Sequence, residues 1–442
     1  MNIVKEQLKG KRILFATVPT DGHFNPLTGL AKYLQQVGCD IRWYTSVTFE
    51  DKLKRLEIPL YPFEKALEIN QSNFLKLFPG RAGITDAAEV MEFDLHYLLG
   101  NMAGDLYTDI LKIHESFPFD LMIADSSFTA IPLVKIKMNI PVVSIGVYPL
   151  PESAANLAPY SMGLPPAKNE TELLNYAELH KEALNKTFKG STDSFHSILE
   201  EHDIRLERSL LLDLLVKQAS LYLQIGAPSF EYKRVGMGEN IRFVGSLLPY
   251  SSNHQKKPWY DERLEQYEKV VLVTQGTVEK DPDKIIVPTL EAFYGTDTLV
   301  IATTAGNQTE KLKEKYAAKN IIIEDFIPYD DVMPYAGVYI TNGGYGGVML
   351  SISHKLPIVA AGLLEAKNEI CSRIGYFKLG IDLSTERPSP QELRSAVEEV
   401  MVNGQYKNNA TRLSIELDSY LPTALCASYV AELLQQPGQL KI

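Results

Sequence analysis

Short apolar runs alternate with amphipathic stretches along roughly the first 150 residues of the chain. The segment 26–37 repeats its apolar positions at helical spacing and ends at Gly38. Strands that are separated by helices need crossover connections, so this alternation predicts a parallel sheet. The predicted strands are 13–17, 41–46, 121–124 and 142–147, with a further helix over about 128–138.

The same alternation restarts in the second half of the chain and predicts a second domain. Single cores stop growing near about 250–300 residues, and this chain has 442. The polar, proline-bounded stretch 247–258 reads as a linker. The predicted domains are therefore 1–245 and 263–442, joined by 246–262. The predicted strands of the second domain are 271–274, 299–303, 321–324, 338–341 and 358–361.

Two segments depart from the strand and helix alternation. The stretch of about 150–219 combines prolines with long helical runs and is interpreted as an insertion that builds a wall or lid. The last helical run, 423–435, has no position fixed by its pattern, and packing back on the first domain is one option. The predicted fold is α/β, with two Rossmann-like, doubly wound parallel-sheet domains that face each other across a ligand-binding cleft.

Composition excludes several classes of partner. The chain has 44 basic and 55 acidic residues, so its formal charge is −11, and no basic cluster suits nucleic acid or an anionic membrane. Cys39, Cys371 and Cys426 are too far apart for a zinc motif or a disulfide framework. Residues 1–11 lack the apolar core of a signal peptide, and no run approaches the ~18 apolar residues of a membrane span. We expect a cytoplasmic protein.

His23 lies in the sequence TDGHFNP, directly after the first predicted strand, and Asp125 ends the third. Carboxyl ends of parallel strands are where open α/β sheets bind ligands. A neutral imidazole can take a proton from a hydroxyl near pH 7 if a carboxylate fixes its tautomer. The pair therefore predicts a general base with its orienting partner. The alternative is that His23 is a solvated loop residue and Asp125 a helix N-cap.

Glycine-rich turns follow two strands of the second half. Four glycines, Gly343, Gly344, Gly346 and Gly347, fill positions around Tyr345 between a strand and a helix. Free backbone N–H groups and the helix dipole make such a turn suitable for phosphate, although glycines also serve tight turns alone.

A second turn follows the first strand of that half. Gly276 and Thr277 could contact the same phosphates, or Thr277 could cap the next segment. Phe326, Ile327 and Tyr329 flank a proline at another strand end, where a ring can stack on a nucleobase or belong to the core.

Together these motifs resemble the GT-B glycosyltransferases of family 1, over nearly the whole chain, and the segment 361–369 is similar to that of a bacterial branch of the family. The segment 22–26, Gly-His-Phe-Asn-Pro, matches the family's amino-terminal signature, and Asp125 matches the partner of its catalytic histidine. The segments 326–329 and 341–344 are similar to the start and the Thr-His-Gly-Gly core of the donor motif. The resemblance implies that these residues bind the donor nucleotide and phosphates: Gly22, Gly276, Thr277, Phe326, Ile327, Tyr329, Asn342, Gly343, Gly344, Tyr345, Gly346 and Gly347.

Several positions depart from the family pattern. The usual histidine beside the phosphates is Asn342, the usual ribose-binding glutamate is Leu350, and the glycine before Val-Pro is Lys355. The pair that normally reads the sugar, Asp-Gln, falls on Ala366 and Lys367. The expected sugar-binding residues are Glu365 and Lys367, with Glu369 as the weaker substitute.

The resemblance implies an inverting, metal-independent hexosyltransferase with UDP-glucose as the expected donor and no resident cofactor. Its acceptor would be a small lipophilic or aromatic hydroxyl compound, bound by the insertion and by the loop of about 61–80. Asp281 and Asp283 form the one Asp-x-Asp pattern, read as the start of a helix at Pro282 and not as a metal site. The alternatives are a noncatalytic or partner-activating GT-B protein and a sugar-nucleotide epimerase or hydrolase. A dehydrogenase is set aside because the first turn lacks Gly-x-Gly-x-x-Gly.

Overall fold

The computed structural model describes residues 2–70, 73–251 and 258–435. The first half forms one seven-stranded parallel sheet in the order β3-β2-β1-β4-β5-β6-β7. Its strands are β1 (Arg12–Ala16), β2 (Asp40–Thr45), β3 (Leu60–Pro62), β4 (Leu121–Asp125), β5 (Val142–Gly146), β6 (Leu221–Gln224) and β7 (Ile241–Phe243). The predicted parallel sheet is confirmed, and the strands β3, β6 and β7 extend it beyond the four that the pattern indicates.

The second half forms a separate six-stranded parallel sheet in the order β10-β9-β8-β11-β12-β13. Its strands are β8 (Lys269–Thr274), β9 (Thr298–Thr303), β10 (Ile321–Glu324), β11 (Val338–Thr341), β12 (Ile358–Ala360) and β13 (Gly380–Asp382). Two doubly wound domains are thus confirmed. The exact boundaries at 245 and 263 stay predictions, and residues 252–257 of the predicted linker lie outside the described residues.

Helices cover both sheets. In the first domain they are α1 (Asn2–Leu8), α2 (Asp21–Gln36), α3 (Glu50–Leu56), α4 (Phe74–Leu77), α5 (Ala87–Phe93), α6 (Ala103–Ser116), α7 (Ile131–Lys137), α8 (Glu170–Glu182), α9 (Lys189–Glu201) and α10 (Leu211–Gln218). The rest are α11 (Ile286–Phe293), α12 (Thr309–Lys315), α13 (Tyr329–Val332), α14 (Tyr345–Ser353), α15 (Lys367–Tyr376), α16 (Pro390–Val402), α17 (Gly404–Asp418) and α18 (Pro422–Gln435). None of the described helices is long and apolar enough to cross a membrane.

The same topological feature occurs in both sheets. Strand order reverses between β1 and β4 in the first sheet and between β8 and β11 in the second. The loops that leave such neighbouring strands diverge to opposite sides and open a crevice at the carboxyl ends. Each domain therefore has a crevice suited to a ligand at the ends of these strand pairs.

Two predicted helix starts are wrong. Helix α2 begins at Asp21, five residues before Pro26, because Thr20 takes the extended conformation of an N-cap residue. Pro26 lies inside this helix, where its missing N–H removes only the bond to the residue four positions earlier. Residues 282–285 form a turn, and helix α11 begins at Ile286 instead of Pro282.

The segment between β5 and β6 is the predicted insertion, and it supplies helices α8, α9 and α10. Buried residues of α9 and α10, among them Phe195, Leu199 and Leu215, pack in the same core as Met122 of β4. The insertion is thus a wall over one face of the first sheet. At the other end of the chain, helix α18 packs against α1 and α2, so the carboxyl-terminal helix returns to the first domain.

A buried ion-pair cluster joins the two domains. Arg373 of α15 has a side chain that is 2% exposed, and its guanidinium donates to Glu231 (Nε, 3.1 Å) and to Glu369 (Nη1, 2.9 Å). Tyr232 lies with its ring 4.1 Å from the guanidinium carbon and pairs its hydroxyl with Ser372 at 2.9 Å. Burial alone would lower the pKa of Arg373, but the two carboxylates raise it above its ordinary value. Arg373 is therefore a fixed cation between the domains.

We expect Arg373→Ala to destabilise the protein by about 3–5 kcal/mol, because it leaves the buried carboxylate of Glu369 without a counter-charge and leaves Glu231 with Arg234 as its remaining cation. Urea unfolding followed by tryptophan fluorescence measures this loss. Arg394→Ala is the matched control, since Arg394 pairs with Glu398 on the surface at 3.0 Å and should cost less than about 1 kcal/mol. Equal losses for the two variants would contradict the structural role given to the cluster.

Candidate active site

His23 and Asp125 meet at the switch point of the first sheet. Strands β1 and β4 are paired in register, with Ala16 opposite Ala124, so the residues that follow emerge side by side. Helix α2 places His23 in its first turn, and the His23 Nδ1 atom lies 2.7 Å from Asp125 Oδ1. The imidazole is 21% exposed whereas the carboxylate is fully buried. The predicted proximity of the two side chains is therefore present in the structure.

Three donors fix the Asp125 carboxylate. Besides the histidine, the backbone N–H of Ser127 donates to Oδ1 at 2.8 Å and the backbone N–H of Val18 donates to Oδ2 at 2.8 Å. A buried carboxylate that accepts several N–H bonds is held in one orientation. Asp125 can then keep the proton of His23 on Nδ1, which leaves Nε2 as a proton acceptor.

Tyr148 borders this pair. Its ring centroid lies 6.0 Å from that of His23, and its hydroxyl is 3.1 Å from the Ser127 hydroxyl. Burial raises the pKa of Tyr148 to about 12, so the phenol stays neutral at physiological pH. An aromatic, neutral side chain thus borders the imidazole on this side.

The predicted phosphate-binding turns meet at the switch point of the second sheet. Thr341 of β11 lies opposite Thr274 of β8, and Asn342 Nδ2 donates to the Gln275 carbonyl at 2.7 Å across the two turns. Gly343 has φ +88°, and a Cβ there would lie 2.7 Å from the Cys371 sulphur. Only glycine fits this position, which explains why the turn needs it.

The neighbouring glycines differ in their surroundings. Gly344 is the N-cap residue of α14, and Gly346 is exposed in the first turn, so their backbone N–H groups are at the anion-binding end of the helix. A Cβ on Gly347 would lie 2.5 Å from the Tyr339 hydroxyl, so this glycine lets α14 pack on β11. Gly276, with φ +72°, lies across from the same turn, followed by the exposed Thr277.

Tyr345 connects the two sites. Its hydroxyl donates to the Ile225 carbonyl at 2.6 Å, just past β6 of the first domain. Gln224 Nε2 lies 3.4 Å from the same hydroxyl and donates to the Tyr148 carbonyl at 2.9 Å. Tyr345, the first residue of α14, is therefore connected through Gln224 to Tyr148, which lies beside His23.

The three predicted base-binding residues have different environments. Phe326 is 70% exposed, which leaves its ring open for stacking. Ile327 is buried in the core, so only its backbone is available to a ligand. Tyr329 is half-buried and hydrogen bonds through its hydroxyl to Thr274 (3.0 Å) and Thr303 (3.2 Å).

The residues expected at the sugar lie beside the glycine turn. Lys367 begins α15, and its Nζ pairs with Glu365 Oε2 at 2.9 Å. The Glu365 carboxylate is 49% exposed and can accept from a ligand hydroxyl. Glu369 is 5% exposed and bonded within the protein, so its carboxylate is not free for a sugar. Glu365, which the sequence favours over Glu369 as the sugar-binding residue, is thus also the more exposed of the two.

Gly22, another predicted donor-binding residue, is exposed in the first turn of α2 in the first domain.

Sequence reasoning missed a charged cluster at the same sheet edge. Lys284 pairs with Glu279 (2.6 Å) and Glu386 (2.7 Å), and Glu386 accepts from the backbone N–H groups of Leu363 and Leu364, the latter at 3.0 Å. This cluster fixes the turn that precedes Glu365. No motif signals it, because its members come from segments more than 100 residues apart.

Within residues 2–70, 73–251 and 258–435, no group of three His, Cys, Asp or Glu side chains could hold a metal. The Asp-x-Asp pattern is otherwise engaged. Asp281 Oδ1 accepts from the backbone N–H of Asp283 at 3.0 Å, and its other oxygen pairs with Arg387.

Solved structures identify the fold class. The chain aligns with the glycotransferase of kitacinnamycin at a TM-score of 0.74 and 16% identity, covering 96% of this chain and 99% of the other. It aligns with CalG4, the calicheamicin glycosyltransferase, at a TM-score of 0.71 and 19% identity, covering 97% and 100%. Two facing parallel-sheet domains with switch points at the cleft define the GT-B fold.

Sequence comparison identifies the family. Residues 175–421 match the family model described as UDP-glucoronosyl and UDP-glucosyl transferase. The chain is 30% identical to 4'-demethylrebeccamycin synthase of Lentzea aerocolonigenes, over 92% of this chain and 96% of that protein. It is 26% identical to UDP-glycosyltransferase 2 of Phaeomoniella chlamydospora, over 92% of each. The chain belongs to the UDP-glycosyltransferase family and is a glycosyltransferase.

We expect Gly362→Ala to weaken the binding of a nucleoside diphosphate strongly. A Cβ there would lie 2.2 Å from the Asn342 carbonyl oxygen, which must move and take the glycine turn with it. Titration calorimetry with UDP measures the loss, expected to exceed about tenfold in Kd. Gly404→Ala is the control, since a Cβ at Gly404 meets nothing within 4 Å. Wild-type affinity in Gly362→Ala would remove the glycine turn from the binding site.

Proposed function

We propose that this chain is an inverting, metal-independent transferase that moves a hexose, with glucose as the first candidate, from a UDP donor to a hydroxyl of a small lipophilic or aromatic acceptor. The observation that carries the proposal is the 2.7 Å contact of His23 with the fully buried Asp125. A histidine held in this way is suited to general-base catalysis, and the glycine turn lies across the same interface.

In the proposed mechanism, the acceptor hydroxyl loses its proton to His23 Nε2 while its oxygen attacks the anomeric carbon. The bond from that carbon to the diphosphate breaks, and the carbon inverts. Negative charge then grows on the diphosphate. The backbone N–H of Gly344 and the amino end of α14 are suited to stabilise it, as fixed donors do for other developing anions. The Gly343 N–H already donates to the Thr341 hydroxyl at 3.2 Å.

Natural-product acceptors are supported by the relatives' names. The relatives include 4'-demethylrebeccamycin synthase, and the structural neighbours include transferases of kitacinnamycin and calicheamicin. Several curated relatives are named UDP-glucosyltransferases, which supports the donor. A cytoplasmic location and membership of the bacterial branch stay predictions.

Two alternative functions remain: a noncatalytic GT-B protein, and an epimerase or hydrolase that uses the sugar nucleotide without an acceptor. Asn342, Leu350 and Ala366 replace the usual donor-binding residues, which favours the noncatalytic alternative. Asn342 nevertheless bridges the two phosphate turns through the Gln275 carbonyl, so the turns keep a defined arrangement. Incubation with UDP-glucose alone separates the epimerase and hydrolase alternatives, which would consume the donor rapidly without an acceptor.

We expect His23→Ala to lower kcat by about 10²–10⁴-fold with little change in UDP binding, because general-base catalysis is lost while the donor site is intact. Product formation from UDP-glucose and the best acceptor of a phenol panel measures this. His354→Ala is the matched control, since His354 pairs with Asp330 at 3.1 Å on the surface. An active His23→Ala variant would refute the assignment.

We expect Phe326→Ala to raise the KM for UDP-glucose about 5- to 100-fold, because base stacking on an aromatic ring contributes about 1–3 kcal/mol. The acceptor KM should stay unchanged. Tyr294→Ala, an exposed aromatic of the same domain, is the control. An unchanged donor KM in Phe326→Ala would show that this ring does not contact the base.

A further inference from the structure

A first-domain loop, residues 159–163, is held by the second domain; we call it the Tyr160 loop. Glu369 of α15 accepts through Oε1 from the backbone N–H groups of Ser161 (3.0 Å) and Gly163 (2.9 Å). Its Oε2 pairs with Arg373 at 2.9 Å. Asn368, the preceding residue, donates from its side chain to the Ser161 carbonyl. One carboxylate and one amide of the donor domain thus bind three backbone groups of the loop.

The backbone of the Tyr160 loop needs this support. Ser161 has φ +90° and Gly163 φ +62°, and the first of these is unfavourable for any residue with a side chain. A non-glycine residue at such an angle costs about 1–3 kcal/mol and persists only where its surroundings impose it. The two N–H groups converge on a buried, charged acceptor, which is the strong form of such a bond. Glu369 is therefore what stabilises this conformation.

The loop places the ring of Tyr160 next to that of Tyr148, which borders His23. The Tyr160 ring centroid is 5.9 Å from that of Tyr148, which is 6.0 Å from that of His23. The Tyr160 hydroxyl is buried and has no hydrogen-bond partner among the described residues. The same side chain lines a small apolar cavity with Met91 and Phe188. A buried hydroxyl without a protein partner is costly, so a hydrogen-bonding group from outside the chain would stabilise it at this position.

We propose that Tyr160 is an acceptor-contacting residue, whose hydroxyl hydrogen bonds to the acceptor, and that Glu369 is a positioning residue, which fixes the Tyr160 loop from the donor domain. This inference rests on the proposed transferase function. Glu369 lies one half-turn after Lys367 in α15, so any shift of that helix on donor binding would move the loop with it. The acceptor site is then complete only in the correct arrangement of the two domains.

The Tyr160 contact is tested with Tyr160→Phe, which removes one oxygen atom. We expect the KM for a hydrogen-bonding phenol acceptor to rise about three- to tenfold, with kcat and the KM for UDP-glucose unchanged. Tyr176→Phe is the matched control, because its hydroxyl donates to the Pro165 carbonyl within the same insertion. An unchanged acceptor KM, or an equal rise in both KM values, would overturn the contact.

The positioning role is tested with Glu369→Gln by hydrogen exchange. We expect amide exchange in residues 159–163 to become at least about tenfold faster and the acceptor KM to rise, while Glu398→Gln on the surface changes neither. If Glu369→Gln fails to fold, Asn368→Ala replaces it, since it removes the other half of the contact and no buried charge. Unchanged loop exchange in the folded variant would overturn the role of Glu369.

Failure of the proposed function is a different result. If the wild type forms no glycoside from UDP-glucose with any phenol of the panel, the transferase assignment to these substrates fails, and with it the Tyr160 contact. The exchange measurement does not depend on turnover and still decides whether Glu369 holds the loop.

Discussion

The buried carboxylate of Asp125 is the constraint on which the rest of the site depends. It has no solvent to stabilise its charge, so the structure must supply donors, and it supplies two backbone N–H groups and one imidazole. Those bonds fix the end of β4 relative to β1 and the first turn of α2. The orientation of His23 is thus a consequence of satisfying one charge in the core.

In the second domain, close backbone packing and one side-chain amide fix the glycine turn. The turn after β11 approaches α15 so closely that Gly343 cannot carry a Cβ, and Asn342 ties it to the turn after β8. Between the two halves, Arg373 and Tyr345 form contacts that bridge the cleft. The proposed base on one side and the predicted phosphate-binding turn on the other are therefore held in one arrangement by buried polar groups, which tolerate little displacement.

Local patterns predicted the sheets well and the helix starts less well. Buried parallel strands such as β10 and β11 read as continuous apolar runs, so their bounds follow from the sequence. The short edge strands β3, β7 and β13 have three residues each, too few to show a pattern. Helix α2 was predicted too short because Pro26 reads as a helix start, although tertiary contacts tolerate it inside. The pairing of His23 with Asp125 could be predicted, because both residues lie at the carboxyl ends of parallel strands and so at the same edge of the sheet.

Contacts between distant segments could not be predicted where neither segment carries a motif, as for Glu369 and Ser161, which meet across 208 residues of sequence. The proposed chemistry depends on one proton, which Asp125 would keep on His23 Nδ1 so that Nε2 is free to accept another. Nitrogen-15 NMR of the histidine rings, assigned with the His23→Ala variant, measures this tautomer directly. The account predicts Nδ1–H in the wild type at neutral pH and a mixture of tautomers in Asp125→Ala. A wild-type ring protonated on Nε2 alone would contradict it.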